Sequence, residues 1–155
     1  MAFDSAGEMN HNPLKTVNSL QKTEMKLVET TRRHWQPLRT DIVSKFNALW
    51  SNPELGNMEF AASGILCDWL EESGFKVERG VCGLPTAFRA EAGEGGPAIA
   101  LLAEYDALPG TDNAAVAHRS GTGRAAGHAC GHNLIGPANC GAAIAAALAA
   151  REAGL

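Results

Sequence analysis

From Pro13 onward, Leu14, Val17, Leu20, Leu27, Val28 and Trp35 recur at the three-and-four spacing of a helix with one apolar face. Pro37 interrupts the run, and Ile42, Phe46, Leu49 and Trp50 resume it until Ser51-Asn52-Pro53, a cluster that ends helices. The pattern predicts a bent helical pair or one kinked helix. A further helix is expected from a cap at Asn57 to about Ser73, with Phe60, Ile65, Leu66, Trp69 and Leu70 on its apolar face and Gly74 as its stop. At Phe75 the period changes to two. Phe75 and Val77 alternate with Lys76 and Glu78, which predicts a half-buried strand reaching Gly80 or Val81. A turn at Gly83-Leu84-Pro85 leads to a second strand-like stretch, Thr86 to Ala92. Beyond Glu94-Gly95-Gly96, the run from Ala98 to Ala103 is apolar without a break, as in a strand covered on both faces. The last helix is expected from about Ala138 to Ala153, almost all Ala and Ile, with Gly154 as its cap. Helix, hairpin, buried strand and helix in this order predict an α/β fold, a layered mixed sheet with flanking helices.

Length and composition narrow this picture. At 155 residues, 45% hydrophobic and 19% charged, the chain has the size and core material of one globular domain. Thirteen Lys and Arg against 17 Asp and Glu give a net charge of −4, which offers no basic face for nucleic acid or anionic lipid. Residues 1–12 read as a disordered tail, and Asp4 and Glu8 without a basic, apolar leader fit a cytoplasmic protein. The nearly charge-free stretch Asn133 to Ala150 is rich in Ala and Gly and contains Pro137, so it predicts a buried helix rather than a membrane span. In a reducing compartment Cys67, Cys82, Cys130 and Cys140 are expected as free thiols.

The chemistry concentrates after the apolar run. Gly127-His128-Ala129-Cys130-Gly131-His132-Asn133 places three metal-capable side chains within five positions. On a looped backbone, Cys130 and His132 can turn to the same side, and thiolate with imidazole suits zinc or a similar divalent ion. The following helix N-terminus favours the anionic thiolate. The competing readings are a buried apolar Cys130 with solvated histidines, and a His128 that only orients the loop. Asp106 closes the apolar run before Leu108-Pro109-Gly110, where it serves either a turn or a metal centre from behind. Glu104, two positions earlier, should share its face. Tyr105 is pocket wall or core; His11, His34 and His118 carry no assigned role.

Together, Ala103-Glu104-Tyr105-Asp106-Ala107-Leu108-Pro109-Gly110 and Gly127-His128-Ala129-Cys130-Gly131-His132-Asn133-Leu134-Ile135-Gly136 resemble the metal-dependent amidohydrolases of the aminoacylase and glutamate-carboxypeptidase superfamily. Pro53 to Phe60 and Gly83 to Phe88 match the branch with the aminobenzoyl-glutamate hydrolase and β-alanyl-lysine-type dipeptidases, so the likeness covers nearly all of 14–155. The resemblance implies a zinc-exopeptidase-like catalytic domain, one or two zinc or manganese ions, a small amide or dipeptide substrate, and a second domain through which full-length relatives form homodimers. Carried over by position, Cys130 and His132 would be metal ligands and Asp106 the residue that orients the metal centre. Glu104 stands where many members have histidine, so that ligand does not carry over. The family's catalytic glutamate is expected beyond Leu155. Residues 13–155 thus resemble the N-terminal part of the catalytic domain, expected to be inactive alone. The alternatives are a non-catalytic truncated paralogue that pairs with a partner chain, and thiol chemistry with Cys130 as nucleophile and His128 or His132 as base.

Overall fold

The computed structural model describes the backbone from Pro13 to Leu155 and the side chains from Gln21 onward. The tail expected over 1–12 lies outside the described residues. Helix α1 (Pro13–Ser51) is a single helix of 39 residues that passes through Pro37. A proline there removes one backbone hydrogen bond, and the apolar face on either side of it, Trp35 and Leu38 before Ile42, packs against the common core.

Helix α2 (Phe60–Glu72) begins later than Asn57. Asn57 adopts a left-handed φ of 66° and caps nothing. The Glu54 carboxylate accepts hydrogen bonds from the amides of Ala61 and Ala62 at 3.1 and 2.9 Å, and a negative charge at a helix N-terminus is stabilising. Phe60, expected on the buried face, is exposed at the start of the helix, whereas Leu66, Trp69 and Leu70 are buried.

Strands β1 (Lys76–Arg79) and β2 (Phe88–Glu91) pair antiparallel, with Lys76 opposite Glu91 and Arg79 opposite Phe88. Phe75, Val77, Phe88 and Ala90 turn inward, as the period-two pattern requires. Strands β3 (Leu108–Pro109) and β4 (Ala126–Gly127) form a second antiparallel pair. Helix α3 (His132–Ala153) starts six residues before Ala138 and contains Pro137.

The fold is mixed α and β, but the expected layered mixed sheet does not form among the described residues, whose sheets are two separate two-stranded pairs. Nor is Ala98 to Ala103 a strand. Ile99 is 88% and Leu102 81% exposed, because a strand is buried on both faces only with strands at its edges and helices above and below, and no described strand pairs with this segment. It is supported from one side: Asn139 Nδ2 donates to the Leu102 carbonyl at 2.7 Å, and Ala103 and Tyr105 pack on the core.

That core is where the three helices meet, around Ile42, Leu66, Trp69, Leu70, Cys140 and Ile144. Leu49 and Leu66 are almost wholly buried, each contributing roughly 1.5–3 kcal/mol of apolar transfer. All four expected free thiols are unpaired, with Cys67 and Cys140 buried and Cys82 and Cys130 exposed. By length and composition α3 could cross a bilayer; in the fold its Cys140, Ile144, Ala145 and Ala149 are buried. Its small residues let other elements approach closely. A Cβ on Gly141 would stand 2.8 Å from Ile42 Cδ1 and 3.2 Å from Trp69 Cη2, and one on Gly136 would stand 2.9 Å from the Glu104 carbonyl oxygen and 3.1 Å from Leu66 Cδ1.

Inside a helix alanine is normally about 1 kcal/mol better than glycine. Gly136→Ala is nevertheless expected to lower the unfolding free energy by about 1–3 kcal/mol through overpacking, since a backbone oxygen cannot rotate aside. Urea unfolding measures this, and an unchanged or higher midpoint would show that the contact yields freely.

Candidate functional site

The segment ending at Asp106 is held from both sides. Ala107 N donates to the Glu54 carbonyl at 2.7 Å, within an isolated parallel bridge between Leu55 and Ala107. On the other side lies the first turn of α3. Gly131, with φ of 84°, ends the preceding turn, and its carbonyl accepts from the amides of Leu134 and Ile135. This sharp entry sets His132 at the first helical position, facing the two carboxylates.

His132 Nδ1 lies 2.7 Å from Asp106 Oδ1, and His132 Nε2 lies 3.2 Å from Glu104 Oε2. A carboxylate only accepts, so Nδ1 carries the proton of the Asp106 bond. The ring is thereby fixed in orientation with Nε2 turned toward Glu104; a hydrogen bond like the one at Nδ1 is how a carboxylate orients a metal-binding imidazole. Glu104 and Asp106 share a face as their spacing predicts. Cys130 is an exposed thiol in the turn before α3. Among the described residues no three His, Cys, Asp or Glu side chains converge on one point. Asp106 and Glu104 instead meet opposite nitrogens of the His132 ring, and Cys130 stays at the surface. Imidazole and carboxylate are donors chemically suited to a zinc-like or manganese-like ion, and Nε2, which faces Glu104, is the ring nitrogen not bonded to Asp106.

A cleft of about 220 Å³ opens beside these groups, lined in part by Glu59, Thr86, Ala103, Glu104, Tyr105 and Asp106. Glu59 is buried and accepts from the Thr86 hydroxyl at 2.7 Å. Tyr105 donates to the Thr86 carbonyl at 2.6 Å and stacks on Phe88 at 5.6 Å between ring centroids. Burial pushes its phenol up to about 12. Tyr105 is both pocket wall and core, and its proton is already committed.

His128 does not join the cluster. It is 7% exposed, and its Nε2–H donates to the Leu49 carbonyl at 3.1 Å. Nδ1 has no partner, and burial holds the ring below its ordinary value. It orients the loop. Arg124 acts beside it, with Nη1 donating to the Trp50 carbonyl at 3.0 Å and Nε to Asp112 Oδ1 at 3.1 Å. The end of α1 is thus closed by two nitrogen-bearing side chains from the loop before α3, bonded to the last carbonyls of the helix. Asp112 is also bonded by the Thr122 hydroxyl and amide and the Arg124 amide, which hold its carboxyl down to about 2. Neither Asp112 nor Arg124 stands out in the sequence, because the segment between Gly110 and Gly127 has no period and no motif. A second cavity, of about 450 Å³, is lined by residues including Thr111, Asp112, His118 and Ala129.

No family model matches the chain. It is 45% identical over 108 residues to one subunit of the p-aminobenzoyl-glutamate hydrolase of Escherichia coli (strain K12), covering 68% of this chain and 22% of that protein. It is 40% identical over 108 residues to the Xaa-Arg dipeptidase of Mus musculus, covering 63% and 21%. It is 33% identical over 111 residues to thermostable carboxypeptidase 2 of Saccharolobus solfataricus, covering 70% and 28%. The matched part thus spans between 21% and 28% of the length of these relatives.

Two titrations follow from the loop. With its value depressed in the fold, His128 binds fewer protons folded than unfolded, so its contribution is full above about 6.5 and is lost as pH falls through the folded value. Its NMR midpoint is expected below 6.5, and His128→Ala should cost about 0.5–1.5 kcal/mol by removing one of the two hydrogen bonds that the Leu49 carbonyl accepts, the other coming from the Asn52 amide; an ordinary midpoint with no loss of stability contradicts this. Asp112, also depressed, supports the loop above the usual 3.8 and releases it only as pH falls through about 2. A carboxyl resonance of Asp112 that titrates near the usual value would refute that role.

Proposed function

Taking the chain as a partial member of an amidohydrolase and peptidase family, we propose that it supplies part of a metal-dependent site that hydrolyses an amide or peptide bond in N-acyl amino acids or small dipeptides. The observation that carries this reading is the His132 ring, fixed by Asp106 at 2.7 Å with its other nitrogen turned toward the Glu104 carboxylate, where a cation would lie. The relatives' names point to the same bond: one belongs to a hydrolase of p-aminobenzoyl-glutamate, an N-acyl amino acid, and another is a dipeptidase.

His132 and Cys130 are the residues that would hold zinc or manganese. The chemistry such an ion supplies is Lewis acidity, polarising the amide carbonyl and making a water nucleophilic near neutral pH. The rest belongs to the chain. Asp106 accepts the Nδ1 proton and keeps the ring from rotating. Gly131 lets the backbone swing Cys130 and His132 around the start of α3, whose positive end favours a thiolate. Tyr105 and Thr86, already bonded to each other, shape the cleft where an acyl group or side chain of the substrate lies.

Catalytic zinc usually takes three protein ligands, and Cys130 and His132 are two. The 155-residue chain alone is therefore expected to bind zinc more weakly than nanomolar and to turn over no substrate. Calorimetric titration of zinc and manganese into the chain should show binding that His132→Ala removes and Cys130→Ser weakens at least tenfold. Affinity indifferent to His132→Ala contradicts the site, and a folded chain that binds neither ion selects a non-catalytic scaffold. Hydrolysis of N-acyl amino acids or dipeptides that survives complete metal removal would refute metal dependence.

A further inference from the structure

Resting on the metal reading above, we propose that Glu104 is itself a metal ligand, sharing one divalent ion with His132. The two carboxylates meet the imidazole on different nitrogens and in different ways. Asp106 Oδ1 is at 2.7 Å from Nδ1, the length of a charge-assisted hydrogen bond. Glu104 Oε2 is at 3.2 Å from Nε2, an ion-pair contact longer than such bonds normally are. With zinc–nitrogen and zinc–oxygen bonds of about 2.0–2.2 Å, two donors on one tetrahedral ion stand about 3.4 Å apart. The Glu104–His132 separation is therefore close to that of two atoms bound to the same ion.

Three further features support the role. The Glu104 side chain is 58% exposed and lines the 220 Å³ cleft, so an ion can reach it from solvent. Its backbone is fixed against α3, since the Glu104 carbonyl oxygen occupies the space beside Gly136, one turn after His132. The spacing of the two donors is thereby set by the packing of the segment on the helix. Finally, two carboxylates flanking one imidazole place two negative charges at the site, and a divalent cation offsets them better than a single proton does.

Cobalt(II), which reports its coordination by visible absorption, is titrated into the full 155-residue chain and into E104Q, E104H, H132A and, as a control remote from the site, E91Q. Glu104→Gln is expected to raise the cobalt Kd at least tenfold and weaken the visible band while leaving the thermal midpoint unchanged. Glu104→His, which replaces the charge but keeps a donor, should bind within about tenfold of wild type, and E91Q should match wild type. Cobalt binding by E104Q within twofold of wild type would overturn the proposal, as would equal losses in E104Q and E104H, which would make Glu104 a source of charge only. Binding lost in H132A but kept in E104Q overturns this inference alone. A wild-type chain that takes no cobalt overturns both this inference and the metal reading on which it rests.

Discussion

Everything at the candidate site depends on how closely helix α3 lies against the segment that carries Glu104 and Asp106. At Gly136 the helix has no side chain, and the Glu104 carbonyl oxygen lies only 2.9 Å from where a Cβ would sit. One turn back is His132, and three residues on is Asn139, which bonds the Leu102 carbonyl. The same helix face therefore fixes the segment in two places and presents the imidazole to it in a third. Farther along, Gly141 admits Ile42 and Trp69, so the packing that makes the core also sets the distance between carboxylates and ring.

The loop before α3 is anchored with equal economy. His128 and Arg124 donate to the last carbonyls of α1 at Leu49 and Trp50, and Asp112 holds Arg124 in place. These bonds tie the turn carrying Cys130 to the longest helix in the fold. The buried, neutral His128 is thus structural and leaves His132 as the imidazole at the site. Cys130, two residues before His132, is an exposed thiol that takes no part in that anchorage.

Much of this was legible in the sequence, and what was not has physical causes. Ile42, Leu66, Trp69 and Leu70 reveal themselves by spacing because burial of a helix face is a local pattern, and the β1–β2 hairpin by its alternation. Ala98 to Ala103 misled because an apolar run reports the burial it suits, and the described residues provide neither edge strands nor a second covering layer. The start of α2 misled because Asn57 is a good cap in isolation, whereas the Glu54 carboxylate, several residues away, does the capping. Asp106, Glu104 and His132 could be expected together from motif and face. The exposure of Cys130 and the parts played by Asp112 and Arg124 could not, since they arise from an aperiodic loop folding back on α1.

The central claim is that Asp106 holds His132 so that its Nε2 receives a divalent ion. It is tested most directly by a crystal structure of the 155-residue chain soaked in zinc, with anomalous data collected on both sides of the zinc absorption edge. The expected result is an anomalous peak about 2.0–2.1 Å from His132 Nε2, with the Asp106 bond to Nδ1 intact. A ring that instead turns Nδ1 to the ion, or a zinc peak only at sites away from His132, would contradict the account.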